Sequence, residues 1–283
     1  MTIEYKLCWG IYREYTHSPG RENDDVAILR ATAAALEERG FDVKLRTPRK
    51  AGEAITTPGA RIFAMCEQPE VLDLLRRAER TGAIVVNAPE AVRNTYRRRM
   101  VEAFAHAGIS VPRSRVIATD PETPPPALPV WIKRHDFHAT EANDVLFAES
   151  ADSWRTALAA FAARGLPFAV IQDHAPGDLI KFYGVHHPGA GETRWFVWFY
   201  HRDQSLAGHA FDEETLRREA SAAAGALGIE IFGGDAIVGN DGRPQIIDLN
   251  AWPSFALYRE TAATAIADHL AERFARQPVT ALG

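Results

Sequence analysis

Two apolar segments near the C-terminal end of the chain each contain one aspartate, and the polar turn NDGRP separates them. The segments GGDAIV and QIIDLN have the length and composition of buried strands, so the turn predicts an antiparallel pair. Asp235 lies near the start of the first strand, and Asp248 and Asn250 lie near the end of the second. Residues two apart in a strand point to the same face, so three oxygen-bearing side chains are expected to converge.

The chemistry of these three side chains favours a magnesium site. Both aspartates have apolar neighbours, among which an unpaired carboxylate would be costly to bury. Carboxylate and amide oxygens suit Mg²⁺, which completes its coordination shell with waters and phosphates. The alternative is that Asp235 caps a turn and that Asp248 is half exposed. We favour Asp235, Asp248 and Asn250 as metal ligands.

Strand and helix patterns alternate over the first third of the chain. Helices that end at Gly40 and Gly82 alternate with strand segments such as ARIFAMC and AIVVN, which predicts a small α/β layer with a mostly parallel sheet. No GxGxxG motif follows any of the strands, so a dinucleotide site is disfavoured. Next, PEAVRNTYRRRMVEAFAHAG predicts one helix that ends at Gly108, and the proline-rich segment DPETPPPALP marks a subdomain edge. The neighbouring strands beyond it predict antiparallel or mixed sheets, before a C-terminal helix at about 256–276.

Charge and cysteine content restrict the class of protein. The chain has 32 basic and 37 acidic residues and a formal charge of -5, which disfavours a general polyanion-binding scaffold, so neither nucleic acid nor a membrane is expected as a partner. Cys8 and Cys66 lie in apolar segments without metal-ligand spacing, so buried thiols in a reducing compartment are expected. The N-terminal segment has no signal-peptide pattern, and we expect a cytoplasmic protein.

Two further segments carry candidate binding residues. Lys133 lies late in the apolar strand PVWIKR, where a lysine either reaches solvent at the sheet end or binds an anion, and the residues alone leave both open. In VIQDHAPGD, a strand runs into Gln172, Asp173 and His174 before a turn, and Lys181 follows in the next strand. Such a segment can read a nucleobase edge, with Lys181 as a second phosphate cation, and an ordinary hairpin is the alternative.

Taken in order, these motifs resemble the ATP-grasp superfamily over nearly the whole chain. NAPEAVRNTYRRRM with AGISVP is similar to the start of that family's central region, WIKR to its phosphate-binding strand, VIQDHAPGD to its adenine hinge, and GGDAIV with IIDLN to its metal-binding strands. The resemblance implies an α/β and α+β architecture, in which a small parallel α/β domain precedes two α+β subdomains that clamp ATP. The implied units are residues 1–88, a central connecting region at 89–126, a small subdomain at 127–180 and a C-terminal subdomain with the metal site at 181–283.

The resemblance also implies residue roles and cofactors. The implied cofactors are ATP and one or two Mg²⁺ ions. The implied ATP contacts are Lys133, Gln172, Asp173, His174, Lys181 and Arg97, the implied metal ligands are Asp235, Asp248 and Asn250, and Lys181 and Asn250 are also implied in catalysis.

Three positions depart from the family pattern. Tyr96 and Arg97 stand where many members have an Asp-Lys pair, which makes Arg97 a candidate phosphate contact. The segment RHDFHATEAND contains no glycine where many members have a glycine-rich loop, so either His135 or His138 is a candidate to close over the phosphates, or both are surface histidines. The last metal acid is Asp248, where many carboxylate ligases have glutamate, which is similar to the inositol-phosphate kinase branch.

The reaction type and the acceptor follow only from the resemblance. We expect an ADP-forming ligase that phosphorylates a carboxylate and joins it to an amine or similar nucleophile. The alternatives are a kinase that phosphorylates a hydroxyl, favoured by Asp248 and Lys181, and a non-catalytic ATP sensor. The expected partner is a small-molecule acceptor, and a homodimer is left open. The candidate acceptor contacts are Arg13, Ser18 and Arg21 before a helix N-terminus, and Ser254 after the metal strands.

Overall fold

A parallel sheet with flanking helices forms the N-terminal part of the computed structural model, which describes residues 6–17, 20–187 and 192–275. Its elements are β1 (Lys6–Ile11), α1 (Glu22–Glu37), β2 (Phe41–Arg46), α2 (Gly52–Thr56), β3 (Arg61–Ala64), α3 (Pro69–Arg80) and β4 (Ile84–Val86). The strand order is β2-β1-β3-β4, and every pairing is parallel. The predicted parallel layer is therefore confirmed. The strand order reverses beside β1, which opens a crevice between the loops that follow β1 and β3.

Two helices, α4 (Pro89–Asn94) and α5 (Arg97–Ala107), replace the single helix predicted up to Gly108. The hydroxyl of Thr95 donates to the Val92 carbonyl at 2.7 Å and closes the last turn of α4. Tyr96 then leaves the helix with extended backbone, because its hydroxyl donates to the Glu67 carbonyl at 2.5 Å and its ring packs on Phe137. The prediction of one helix was wrong because these contacts come from distant segments.

A second, antiparallel sheet forms the small subdomain. Its elements are β5 (Ser114–Ala118), β6 (Val130–Arg134), β7 (Val145–Ala148), α6 (Ala151–Ala163) and β8 (Phe168–Asp173), with strand order β5-β8-β6-β7. One face packs on α6 through Val130, Ile132 and Ile171. Residues at the alternate positions, including Lys133, point to the opposite face. The region 89–126, predicted as a connection, therefore contributes strand β5 to this sheet.

A third sheet, also antiparallel, carries the C-terminal acidic strands. Its elements are β9 (Asp178–His187), β10 (Glu192–Tyr200), α7 (Glu213–Leu227), β11 (Ile231–Val238), β12 (Pro244–Ala251) and α8 (Arg259–Ala275), with strand order β10-β9-β11-β12. The predicted boundary between 180 and 181 lies inside β9, so the C-terminal unit begins earlier. Within the described ranges, no helix combines the length and the apolar character needed to cross a membrane.

Packing on the third sheet decides which of its side chains stay accessible. Helix α7 covers one face, where Ile180, Phe182, Ala236 and Leu249 are buried. Helix α8 packs against α1 and contacts the sheet at β9 and β10. Lys181, Asp235 and Asp248 are all only partly buried, so their polar groups are accessible from the cleft that faces the small subdomain. The predicted C-terminal helix begins at Arg259 rather than at about 256.

Candidate active site

The two acidic strands place their carboxylates side by side. In the β11–β12 ladder, Asp235 is directly opposite Asp248, and Gly233 is opposite Asn250. The ladder shifts between Asp235 and Ala236, which keeps the apolar residues beyond the shift in the core while the two acids share the other face. The register therefore brings the two carboxylates together, with Asn250 two residues along β12 from Asp248. Two carboxylates and one amide form an oxygen donor set that fits Mg²⁺.

Three cations surround the two acids. Lys181 Nζ lies 2.9 Å from Asp235 Oδ1, and Arg97 donates to Asp248 Oδ2 at 3.3 Å. Lys133 Nζ donates to the Ile247 carbonyl at 3.3 Å, which links the small sheet to the third sheet. The candidate phosphate cations and the candidate metal ligands therefore line one cleft between the two sheets.

Burial and the charges of the cleft shift the pKa values of these groups in opposite directions. Burial raises the pKa of Asp235, and the ion pair with Lys181 offsets this effect only in part. Burial would also raise the pKa of Asp248, but the charge of Arg97, followed by that of Lys133, holds it below its ordinary value. Desolvation, with the nearby charge of Arg97, lowers the pKa of Lys133 to about 8. The site thus holds one firmly ionised acid and one lysine that titrates near neutrality.

The hinge segment at the end of β8 divides its polar side chains between two places. Gln172 accepts from Lys133 Nζ at 2.7 Å and donates to Ser114 at 3.2 Å, so it is buried beside the lysine rather than open to a base. Asp173 and His174 line a cavity of about 340 Å³ between the hinge and the turn that joins β11 to β12. Of the three predicted hinge contacts, Gln172 is thus occupied by protein partners, whereas Asp173 and His174 line an open cavity, and their contact with a nucleobase or ribose stays a prediction.

The glycine-free loop after β6 is fixed by one buried carboxylate. Asp144 accepts from the main-chain nitrogens of Thr140 and Glu141 at 2.8 and 3.0 Å, and it pairs with Arg134 and Arg164. These donors hold its pKa below the ordinary value although burial opposes the shift. A loop held in this way keeps a defined shape without glycine.

The two histidines of this loop lie in different places. His138 Nδ1 lies 2.9 Å from Glu67 Oε2, at the end of the cleft near Asp248. His135 instead packs edge-on against Phe168, with ring centroids 5.7 Å apart. His138 is therefore the histidine that faces the candidate active site.

Arg13 is committed to protein groups rather than free to bind an acceptor. Its guanidinium pairs with Asp25 at 2.9 Å and with Glu67, and it donates to the carbonyls of Ala251 and Trp252 at 3.3 and 2.5 Å. Its side chain is only 7% exposed. These bonds tie the N-terminal sheet to the end of β12, and because Arg13 also lines a cavity beside the β1 loop, its role as an acceptor contact stays a prediction.

The other candidate acceptor residues differ in their exposure. Arg21 is exposed at the start of α1, and Ser18 lies outside the described residues. Ser254 is buried in a turn in which Trp252 and Phe255 have the positive φ angles of 38° and 50°. Beside this turn, a Cβ on Gly233 would lie 2.6 Å from Pro253 Cγ, so glycine is required for the turn to fold over the strand.

Sequence reasoning missed the residues of the crevice between the β1 and β3 loops. Glu14 accepts from the main-chain nitrogens of Glu67 and Gln68 at 3.0 and 3.3 Å. A cavity of about 630 Å³ opens beside these loops, and its lining includes Tyr12, Glu14, Tyr15, Thr16 and Gln68. The feature that points here is the reversal of strand order beside β1, where ligands in open α/β sheets bind, and it is visible only in the sheet topology.

Comparisons with known proteins identify the fold of this chain. No family model matches the sequence, and no curated protein matches it either. Among solved structures, D-alanine–D-alanine ligase from Bacillus anthracis in complex with ATP superposes with a TM-score of 0.67 at 13% identity, over 96% of this chain and 98% of that one. The ATP-grasp RimK domain protein from Sphaerobacter thermophilus gives 0.66 at 17% identity, over 93% and 99%. The ATP-grasp ligase PsnB with its minimal precursor gives 0.62 at 17% identity, over 95% and 100%. Since these similarities extend over nearly the full length of both chains in each case, the chain has the ATP-grasp fold.

Proposed function

We propose that this protein is an ADP-forming ligase that uses Mg-ATP to activate a carboxylate as an acyl phosphate, which an amine or similar nucleophile then attacks. The observation that carries the proposal is the single cleft in which Lys133, Lys181 and Arg97 surround the neighbouring carboxylates of Asp235 and Asp248. Cations and acids that alternate in this way fit a metal-bound polyphosphate better than they fit an uncharged ligand.

The cleft residues would divide the work on ATP. Lys133 would bind the phosphates as a buried point charge, with Gln172 holding its ammonium group in place. Asp173 and His174 would contact the adenosine end in the hinge cavity. Asp235, Asp248 and Asn250 would hold magnesium, which neutralises phosphate charge when it is bound.

The chain's own cations would act on the phosphoryl group in transfer. Charge on its oxygens must be neutralised, and fixed cations in a site shielded from water do this without reorganising at the moment of reaction. Arg97 is suited to this role because its side chain is only 3% exposed and is oriented by Asp248 and by the carbonyls of Arg134 and Phe137. Lys181 would supply a further cation, held in place by Asp235.

The proposed ligase activity is supported by the superposed structures. They include D-alanine–D-alanine ligase, PsnB and the VanG D-Ala:D-Ser ligase from Enterococcus faecalis. Transfer to a hydroxyl is the second candidate, because Lys181 and Asp248 occupy positions similar to those of the inositol-phosphate kinase branch. The two reactions leave different products, since an acyl phosphate is trapped by hydroxylamine as a hydroxamate whereas a phosphate monoester is stable.

The deciding experiment combines ADP release with phosphorus NMR. The full chain is incubated with ATP, magnesium and panels of amino acids, short peptides and polyols, and hydroxylamine is added to half of each reaction. A ligase yields ADP, free phosphate and a hydroxamate, whereas a kinase yields a phosphomonoester in step with ADP. The control is Asp248→Asn, which nearly preserves shape and should remove ADP release in every reaction. Tight ATP binding without ADP across all panels would instead indicate a sensor.

A further inference from the structure

Three side chains from separate loops meet at the crevice beside β1. His17 follows β1, Glu67 follows β3, and His138 lies in the loop after β6. One ligand atom from each lies within 4.8 Å of the other two. Glu67 is buried with a side chain 4% exposed, and His138 is 18% exposed, so the cluster is protected yet reachable from one side. The three residues are at least 50 positions apart in the chain, so they meet only through the tertiary fold.

Both histidines of this cluster have lowered pKa values, and one of their ring nitrogens lacks a partner among the described residues. Burial, with the charges of His138 and Arg13, lowers the pKa of His17 to about 4. Burial, with the charges of Arg13 and Arg97, also lowers the pKa of His138 to about 4. Both rings are therefore neutral near pH 7, and each offers one nitrogen lone pair. His17 Nδ1 is buried and has no hydrogen-bond partner within residues 6–17, 20–187 and 192–275.

The surrounding groups orient the cluster as the outer shell of a metal site does. Glu67 is held on one side, because Arg13 pairs with its Oε1, which leaves Oε2 turned to His138. The ring of His138 also hydrogen-bonds the main chain of His17. A main-chain acceptor on one ring nitrogen is the common way in which proteins fix the tautomer of a metal-ligating histidine.

The local charge also accommodates a cation. Arg13 pairs with both Asp25 and Glu67, so the two carboxylates exceed the one guanidinium by one negative charge. Arg97 is neutralised by Asp248, and Arg134 by Asp136. The positive groups closest to the cluster are thus each paired with a carboxylate, and the two acids around Arg13 leave one negative charge beside the ligands.

We propose that His17, Glu67 and His138 form a transition-metal site of the Zn²⁺ class, separate from the acids that would hold magnesium. Two imidazoles and one carboxylate are donors that favour zinc, whereas magnesium favours oxygen donors alone. Three protein ligands leave a fourth position open, as in zinc sites that bind water or a substrate group. The metal would also join the loop after β6 to the N-terminal sheet, and so fix one wall of the cleft.

Metal titration of the full chain, without ATP or magnesium, tests this site independently of any turnover. Chelator-treated protein is titrated with Zn²⁺ by calorimetry and with Co²⁺ by visible absorbance. We expect one ion per chain, a Co²⁺ spectrum of the four-coordinate type and a rise in Tm with zinc. His17→Gln and His138→Gln should each weaken zinc binding on the order of 10²-fold or more. His106→Gln, an exposed helical histidine, and Asp235→Asn, whose carboxylate pairs with Lys181 rather than with Arg97, should bind zinc as the unmodified chain does.

Two results would overturn the proposal. One is the absence of zinc uptake by the unmodified chain, for which folding is checked by its circular dichroism. The other is zinc binding that survives His17→Gln and His138→Gln or is lost in Asp235→Asn, since the ion would then occupy the acidic strands. If a histidine variant does not fold, the Co²⁺ spectrum of the unmodified chain decides, because magnesium-type oxygen ligands give a weak octahedral spectrum.

Discussion

The ammonium group of Lys181 lies 2.9 and 3.1 Å from the two carboxylate oxygens of Asp235, and the two residues are direct neighbours across strands β9 and β11. Burial raises the pKa of Asp235, and Lys181 is the largest opposing influence. Beyond its proposed contact with phosphate, the lysine therefore opposes the effect of burial and favours the ionised form of one of the proposed metal ligands.

Lys181→Met should impair turnover through this pair. Without the ammonium group, the pKa of Asp235 rises further, so the acid limb of the kcat/KM profile should move to higher pH. Turnover at neutral pH should fall on the order of 10²- to 10³-fold. Lys50→Met, a change of an exposed lysine, is the matched control. An acid limb that stays in place would show that Lys181 does not govern the ionisation of Asp235.

Lys133→Met should separate phosphate binding from adenosine binding. The side chain is buried, and methionine nearly preserves its length, so the main loss is the charge. The affinity for ATP should fall on the order of 10- to 100-fold, as expected for one charge-assisted hydrogen bond, while the affinity for adenosine changes little. Isothermal titration with both ligands measures the difference. Equal losses for both ligands would assign Lys133 a structural role.

The pKa of Lys133 also predicts a pH dependence of ATP binding. Because desolvation lowers this pKa to about 8, the free protein loses the ammonium charge as the pH rises through that value. Phosphate binds the protonated form, so ATP binding should take up a proton above about pH 8 and should weaken as the pH rises further. Calorimetry in two buffers of different ionisation enthalpy measures the uptake. Lys133→Met should abolish it, and pH-independent binding by the unmodified chain would contradict the assignment.

The acidic strand pair was predictable from the sequence because its signals are local. The spacing of Asp248 and Asn250 fixes their common face, and the intervening turn fixes the antiparallel pairing with the strand of Asp235. The same holds for the parallel layer, where apolar strands alternate with glycine-terminated helices. Lys133 shows where prediction from local signals ends. Its strand is evident from the sequence, but whether its side chain reaches solvent or the cleft depends on contacts with the third sheet.

The contacts that the sequence did not predict all join distant segments. Arg97 begins a new helix beside Asp248 because Tyr96 is drawn to Glu67, and no local pattern encodes that contact. The position of His138 depends on a loop whose shape is fixed by Asp144. Loops of this kind take their conformation from tertiary partners, so residue spacing alone could not distinguish His135 from His138.

Asp144→Asn should loosen the loop after β6. Its fully buried carboxylate pairs with Arg134 and Arg164, and removing one partner of a buried ion pair costs about 3 kcal/mol of the free energy of unfolding. Since the folded-state pKa is below the ordinary value, this stabilisation is present near neutral pH and is lost as the pH falls below about 4. Urea unfolding at pH 7 and at lower pH measures both effects. A difference between the two proteins that persists unchanged at acid pH would contradict the role of the charge.

Arg13→Lys tests whether Arg13 is an acceptor contact, as the sequence suggested, or a support for the turn after β12. The guanidinium binds two acids and the carbonyls of Ala251 and Trp252, at a turn whose positive φ angles persist only while the surroundings hold them. A lysine cannot reproduce this fork of donors, so the free energy of unfolding should fall by about 3 kcal/mol.

Because Asn250 and Ser254 flank the same turn, Arg13→Lys should lower kcat to a similar extent with every acceptor. Arg21→Lys, a change of an exposed arginine in the same segment, is the matched control and should leave the free energy of unfolding unaltered. Urea unfolding and steady-state kinetics with two acceptors distinguish the roles. A raised KM for one acceptor with unchanged stability would restore Arg13 as a direct contact, because only a residue that touches the acceptor can discriminate between acceptors without altering the fold.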